Sequence, residues 1–275
     1  MLASSSTRPR ALVTGASAGI GVAFAERLAR DGHDVILVAR RRERLEELAN
    51  RLQRDFSAHT EVIAADLTDA GGLAEVEAHI ASDESLVLLV NNAGFGGYNP
   101  FASIEPSIID ELIGIHIRAV TRLTRAALPG MVRRGSGGVI NIASLLALSG
   151  TLPPSPLPYR AVYAGSKAFL VAFTQALAGE LNGTGVKVQV CLPGMVHTEF
   201  HAVQEFDTSR IGPEKMTPDD VVTASLSGLA QGEVMCVPAL ADAALLDRLA
   251  EAQRAVLMAG AMQGVALADR YRRRE

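Results

Sequence analysis

Cysteine is scarce in this chain, with only Cys191 and Cys236 among 275 residues. Each sits in a short apolar run, Val188-Gln189-Val190-Cys191-Leu192 and Val234-Met235-Cys236-Val237. That setting predicts buried thiols in strands rather than a disulfide framework or a cysteine metal site. Neither sign of charge is in excess: the formal net charge of −4 leaves no electrostatic footprint for nucleic acid. No run approaches the roughly 20 apolar residues of a membrane span. Met1–Arg10 is polar and reads as disordered over residues 1–9, and Ala11-Leu12-Val13 is too short for the apolar part of a signal peptide. Repeats, low-complexity tracts and linkers are absent as well. The expectation is a reduced, soluble, cytoplasmic protein of one domain over residues 1–275. With 48% hydrophobic and 20% charged residues it can bury a substantial core.

Short β-branched and leucine-rich runs alternate with amphipathic segments throughout. Strands are predicted at Arg10–Thr14, Asp34–Ala39, Thr60–Ala65, Leu86–Asn91, Gly138–Ala143, Val186–Leu192 and Glu233–Val237. Helical patterns fall at Ile20–Arg30, Arg41–Asp55, Ala70–Ala81, Pro106–Arg134, Tyr163–Leu181 and Pro218–Ala230. Strands spaced by helices imply right-handed βαβ units and an α/β fold with a doubly wound, mostly parallel sheet of about seven strands, the Rossmann architecture. The strands are continuous apolar runs, as sheets covered on both faces require.

The residues with chemistry fall at strand ends. After the first strand comes Thr14-Gly15-Ala16-Ser17-Ala18-Gly19-Ile20-Gly21, opening a helix. Such glycines permit a tight turn and close backbone approach to a pyrophosphate at a helix N-terminus, although the spacing departs from Gly-x-Gly-x-x-Gly. The second strand ends in Ala39-Arg40-Arg41-Arg42, where a fold preferring NAD usually carries an acid, and an arginine there suits the 2′-phosphate of NADP. Asp66 and Leu67 follow the third strand, Asn91-Asn92-Ala93-Gly94 the fourth, Ser144 the fifth, and Pro193, Gly194, Val196 and Thr198 the sixth. Ligands of open α/β sheets bind at these carboxyl ends.

Tyr163 and Lys167 are four apart and would share a helix face. An ammonium about 4 Å from a phenol, at an effective dielectric near 20, favours the phenolate by about 4 kcal/mol, or about three pKa units. That would bring a tyrosine close to neutrality as an acid or base. Ser144 would hold the reacting oxygen. The plainer alternative is an exposed helix pair. Tyr159 has no lysine at i+4 and is the poorer candidate.

Taken jointly and in order, Thr14-Gly-x-x-x-Gly-Ile-Gly21, Asn91-Asn-Ala-Gly94, Ser144, Tyr163-x-x-x-Lys167 and Pro193-Gly-Met-Val-His-Thr198 resemble the short-chain dehydrogenase/reductase family over roughly residues 10–237. The resemblance implies an NAD(P)-dependent oxidoreductase, and with Ala39 and Arg40 after the second strand the expectation is an NADP(H)-dependent carbonyl reductase or alcohol dehydrogenase. Tyr163 would be the acid/base, Ser144 would polarise the carbonyl, and Lys167 would bind the nicotinamide ribose. By the same resemblance Asp66 meets the adenine, Asn92 the frame beside the cofactor, and Thr198 the carboxamide. A homodimer or homotetramer is expected. The competing class is a weakly active or non-catalytic NADP-binding regulatory or interaction protein on the same scaffold.

Two departures stand out. Ser144 and Tyr163 are separated by a longer stretch than usual, containing Leu152-Pro-Pro-Ser-Pro-Leu-Pro158. It reads as a stiff loop at the mouth of the substrate pocket or as a surface elaboration. His116 stands where the family usually has asparagine, so it is either a member of a proton relay or packing within its helix. Leu145, Leu146, Leu148, Leu152, Met195 and Phe200 hint at an apolar ketone substrate. His197 and His201 are four apart but lack a third ligand, so no metal is expected. Residues 198–216 read as a substrate loop. The tail from Ala239 is helical in pattern, with Ala255–Met262 apolar and Arg270–Arg274 basic. It is expected to pack at a subunit interface or over the cleft, with interfacial membrane attachment as the second reading.

Overall fold

The structure, a computed structural model, describes residues 8–155, 157–199, 215–262 and 267–272. The chain divides into two compact units, Met1–Pro238 and Ala239–Glu275. The division falls where the sequence begins its C-terminal extension.

In the first unit, strands β1 (Arg10–Thr14), β2 (Asp34–Ala39), β3 (Thr60–Ala64), β4 (Leu86–Asn91), β5 (Gly137–Ile142), β6 (Val186–Cys191) and β7 (Met235–Cys236) make one sheet. Its order is β3-β2-β1-β4-β5-β6-β7 and every pairing is parallel. Helices α1 (Gly19–Arg30), α2 (Arg42–Phe56), α3 (Ala70–Ser82), α4 (Pro106–Ile113), α5 (Val120–Arg134), α6 (Ala161–Glu180) and α7 (Pro218–Gln231) lie between and after the strands.

Side chains alternate in direction along a strand, and in this sheet both directions are apolar. Ala11, Val13, Val35, Leu37 and Val90 join Phe24, Leu45 and Val221 in one core. Leu12, Ile36, Val38 and Leu89 join Leu73, Leu123 and Leu177 in the other. Continuous apolar strands in the sequence therefore mark a sheet clad on both faces.

The sheet winds outward from β1 to β3, then returns to set β4 against the other side of β1. At that reversal the Thr14 hydroxyl accepts from the amides of Asn92 (2.9 Å) and Ala93 (3.0 Å). Asn92 Nδ2 donates back to the Thr14 carbonyl at 3.0 Å. The ends of β1 and β4 are thereby fixed together where the crevice opens.

A second polar seam ties helices to the sheet. Asn91 and Asn141 are register partners on β4 and β5. Asn91 Nδ2 donates to Asn141 Oδ1 (2.9 Å) and to Thr124 Oγ1 on α5 (3.1 Å). Asn141 Nδ2 donates to Thr174 Oγ1 on α6 at 2.9 Å. All four residues are buried, so the seam fixes α5 and α6 in register with the strands they cover.

The single helix expected over Pro106–Arg134 is divided. Residues Gly114–Ala119 form a π-helical segment between α4 and α5, and the widened turn carries His116, which is fully buried. Such insertions concentrate at functional sites. The last strand spans only Met235–Cys236 of the expected Glu233–Val237. At α7 the expected start is observed as a capping box: Thr217 Oγ1 accepts from the Asp220 amide (3.1 Å) and Asp220 Oδ2 from the Thr217 amide (2.9 Å).

Among the described residues one helix qualifies by length and composition as a membrane span, against the expectation of none: α6, with mean hydropathy 1.2. Its buried face carries Tyr163, Ser166, Lys167, Leu170, Thr174 and Leu177. In the second unit, α8 (Ala244–Met262) leaves Val256 and Leu257 exposed. Cys191 and Cys236 are both buried, reduced register partners in β6 and β7.

Replacing Asn141 by alanine leaves the Asn91 amide and the Thr174 hydroxyl short of a buried partner. Each such group costs about 1–3 kcal/mol. The expected outcome is a lower urea midpoint at unchanged slope, measured by circular dichroism. A midpoint equal to wild type would show that the seam contributes nothing to stability.

Candidate active site

The crevice at the β1/β4 reversal gathers most of the catalytic and cofactor-binding residues singled out in the sequence, while Leu145, Leu146, Leu148, Leu152 and Met195 do not line it. Its walls include Gly15, Ser17, Gly19, Ile20, Arg40, Arg41, Asp66, Leu67, Asn92, Ala93 and Gly94 on one side. Tyr163, Lys167, Pro193, Gly194, Val196 and Thr198 complete it. Three of these candidates do not line it: Gly21, His116 and Ser144. A Cβ on Gly21 would come 2.2 Å from the Gly15 carbonyl oxygen and 2.7 Å from Asn92 Nδ2. Gly21 is therefore the residue that lets α1 start directly beneath the loop.

At the arginine end, Arg41 donates through Nε (3.1 Å) and Nη2 (2.9 Å) to Ser17 Oγ in the glycine-rich loop. It also faces Glu199 at 3.5 Å, while Arg44 pairs with Glu199 at 2.9 Å. Arg40 is largely exposed and lies 3.8 Å from the Asp66 carboxylate. Partial burial works to raise the Asp66 pKa, but the Thr68 hydroxyl and amide donors and Arg40 outweigh it and hold the group below its ordinary value. Ala39, which precedes these arginines, supplies no carboxylate.

At the other end, the Tyr163 phenol is buried and its oxygen accepts hydrogen bonds from Ser144 and from Tyr98. Ser144 is oriented in turn by the Leu146 amide, which donates to its Oγ at 3.2 Å. The expected lowering of the phenol by Lys167 is not observed. Burial pushes Tyr163 up to about 12, and the two hydroxyl donors offset only part of that. Lys167 Nζ lies 5.8 Å from the Tyr163 ring centroid and donates to the Ile142 carbonyl at 2.9 Å. Burial lowers Lys167 itself to about 7. The spacing argument assumed a fully charged ammonium close to the phenol and omitted desolvation of both groups, which dominates.

His116 has a determinate tautomer. Ser166 Oγ gives its one proton to the Tyr163 backbone carbonyl at 2.8 Å, so the 2.9 Å contact between His116 Nδ1 and Ser166 Oγ has Nδ1–H as donor. Nε2 is then the acceptor, buried and without a hydrogen-bond partner among the described residues. A Cβ built on Gly94 would lie 2.6 Å from this Nε2 and 3.6 Å from Lys167 Nζ, so the imidazole lone pair and the lysine amine look onto the same spot. Burial first, and the Lys167 charge second, lower the His116 pKa well below its ordinary value. Both causes favour the neutral imidazole, and desolvation is the larger.

These features match a known pattern. The family model for short chain dehydrogenase covers residues 9–208. The chain belongs to the short-chain dehydrogenase family. Among relatives, human very-long-chain 3-oxoacyl-CoA reductase is 31% identical over 226 residues, 81% of this chain and 70% of that protein. A solved short-chain dehydrogenase from Sphingobium yanoikuyae in complex with NADPH is 36% identical, with a TM-score of 0.88 over 96% of this chain and 100% of that one. The bulky-bulky ketone specific alcohol dehydrogenase of Comamonas testosteroni is 33% identical, with a TM-score of 0.85 over 97% and 99%. The protein is an oxidoreductase that uses a nicotinamide cofactor on a small-molecule carbonyl or alcohol. The glycine-rich loop, open at the switch point with its backbone pressed against Asn92, fits such a dinucleotide.

This dehydrogenase also has site residues that the sequence did not announce. Tyr98, Phe95 and Ile115 line the crevice. Arg160, at the N-cap of α6, is buried and donates to Ser149 Oγ (2.6 Å) and to the carbonyls of Ser149 (2.7 Å), Leu152 (2.8 Å) and Pro158 (3.0 Å). It ties the proline-rich stretch to the start of the helix carrying Tyr163. Tyr159 is exposed and not part of the crevice wall. Among the described residues no cluster with metal-ligand character occurs. Phe200, His201 and most of the expected substrate loop lie outside the described residues.

Lys167 makes stability depend on pH. Its pKa in the folded, cofactor-free protein, about 7, lies below that of the unfolded chain, 10.5. Between these values the unfolded chain binds the extra proton, so stability rises with pH, by up to about 1.4 kcal/mol per unit, and is flat in this respect below pH 7. Urea unfolding of the apoprotein from pH 6 to 10 should show this slope, and Lys167→Met should lack it. Parallel curves for the two proteins would contradict the buried-amine assignment.

Proposed function

We propose that the protein is an NADP(H)-dependent carbonyl reductase and secondary-alcohol dehydrogenase with Tyr163 as its acid/base. The observation that carries this reading is the buried Tyr163 oxygen, held by a hydroxyl donor from Ser144 in the same crevice as the glycine-rich loop and Lys167. The nicotinamide cofactor supplies or accepts the hydride. Tyr163 gives its proton to the carbonyl oxygen in reduction and takes it from the hydroxyl in oxidation. Ser144 holds that oxygen, and Lys167 supports the ribose side and the phenolate.

NADP(H) rather than NAD(H) is favoured by Ala39, by Arg40 and Arg41 at the crevice rim, and by the NADPH complex of the Sphingobium relative. A bulky apolar ketone is favoured by the Comamonas enzyme's specificity and by Leu145, Leu148 and Leu152, apolar side chains left exposed in the stretch that follows Ser144. The test is consumption of NADPH with a panel of aryl ketones. Tyr163→Phe should lose about 10²–10⁴-fold in turnover. Arg40→Ala and Arg41→Ala should each lower the NADPH/NADH ratio of kcat/KM by about tenfold or more, as expected for a charge-assisted pair. Wild-type turnover by Tyr163→Phe would refute the acid assignment, and an unchanged ratio in both arginine variants would refute the cofactor preference.

His116 belongs to the same reading as the acceptor opposite Lys167. Its Nδ1–H leads only to Ser166 and a backbone carbonyl, so its contribution comes through the Nε2 lone pair, which can accept from the lysine amine or from a water between them. His116→Phe should slow turnover, leave NADPH affinity nearly unchanged and alter the pH–rate profile, whereas His116→Asn should remain active. An active His116→Phe enzyme with an unaltered profile would reduce His116 to packing.

A further inference from the structure

Tyr98 stands outside every sequence motif described above, four residues after Gly94 in the segment that leaves β4. Its ring meets Tyr163 edge to face, with centroids 5.2 Å apart. Its hydroxyl donates to the Tyr163 oxygen, alongside the donor from Ser144. The direction of this bond is fixed once Tyr163 has lost its proton. Burial, followed by the neighbouring Tyr163, pushes the Tyr98 phenol far above its ordinary range, so Tyr98 remains a protonated donor at any working pH.

The backbone holds this donor in place. Gly97 adopts φ +56°, a conformation that L side chains rarely take. A Cβ there would come 2.8 Å from Leu112 Cδ1 and 3.2 Å from Ile108 Cγ2 on α4. The segment therefore lies flat on α4 and delivers the next residue into the crevice, which Tyr98 lines with Phe95 and Ile115.

We infer that Tyr98 is a catalytic residue of this dehydrogenase, a second hydroxyl donor to the Tyr163 oxygen that stabilises its deprotonated form. The inference rests on the acid/base role proposed for Tyr163. In reduction the hydride adds to the carbonyl carbon, the Tyr163 O–H bond breaks and its proton forms the new O–H bond of the alcohol. The electron pair left on the Tyr163 oxygen is then shared with the hydroxyl protons of Tyr98 and Ser144. In oxidation the same two donors hold the phenolate that takes the proton back. Hydrogen bonds to a charged acceptor are about twice as strong as neutral ones, so this contact strengthens as the proton leaves, which is the condition for speeding the reaction.

The test uses the holoenzyme with bound NADP⁺ and tyrosine labelled with ¹³C at Cζ. The four tyrosines give four resonances, and Tyr163→Phe identifies that of Tyr163. In Tyr98→Phe, which keeps the ring and removes one oxygen, the titration midpoint of Tyr163 should rise by about one unit, a tenfold loss of phenolate at fixed pH. Gly97→Ala, which moves the segment but keeps the hydroxyl, should raise it as well. Thermal unfolding of each variant checks that it is folded. An unchanged midpoint in a folded Tyr98→Phe protein overturns the inference, whatever its turnover. Full turnover by Tyr163→Phe on aryl ketones would instead overturn the acid/base reading, and the midpoint shift would still report whether the Tyr98 contact exists. With both intact, Tyr98→Phe should reduce ketone turnover at neutral pH by about tenfold, with NADPH affinity little changed.

Discussion

The Thr14 hydroxyl at the end of β1 is the contact on which the rest depends. Accepting from the amides of Asn92 and Ala93 while Asn92 Nδ2 returns a bond to the Thr14 carbonyl, it joins two strands at the point where the winding of the sheet reverses. Everything downstream takes its position from that junction. The glycine-rich loop leaves one of the joined strands, and the segment bearing Gly94, Phe95 and Tyr98 leaves the other. The Asn91–Asn141 seam then carries the register across to β5 and α6, and so to Ser144, Tyr163 and Lys167.

Much of this arrangement is legible in the sequence for one physical reason. A parallel sheet clad on both faces writes itself as continuous apolar runs, and its ligands gather where those runs end. Gly15, Asp66, Asn92, Ser144 and Pro193 could be placed near one another from strand ends alone. Long-range contacts between side chains have no such imprint. The π-helical turn at His116, the packing of Gly97 on Leu112 and the four bonds of Arg160 arise only once the elements have docked. Nothing in the local spacing around Tyr98 distinguishes it from an ordinary loop aromatic.

The Tyr163–Lys167 pair shows where a correct pattern yields an incorrect magnitude. Helical spacing rightly places both residues on the face of α6 that meets the sheet. The electrostatic argument treats them as a solvated pair with fixed charges. In the folded chain both are buried, and desolvation raises the phenol and lowers the amine before their mutual attraction acts. The cofactor-free site therefore rests with the phenol protonated. Its hydroxyl donors, Ser144 and Tyr98, are the groups that ease the proton away.

Arg160 offers a different kind of consequence. Its four hydrogen bonds among the described residues all run to neutral oxygens, so a buried guanidinium sits at the amino end of α6 beside the positive pole of that helix. Tyr163 lies buried in the first turn of that helix. Mobile ions screen charges at the surface but reach buried ones poorly. With Arg40 and Tyr163 in the roles proposed above, rising ionic strength should weaken the hold of exposed Arg40 on an anionic cofactor while leaving the potential around Tyr163 nearly constant, so that salt changes KM for the cofactor and spares the chemical step.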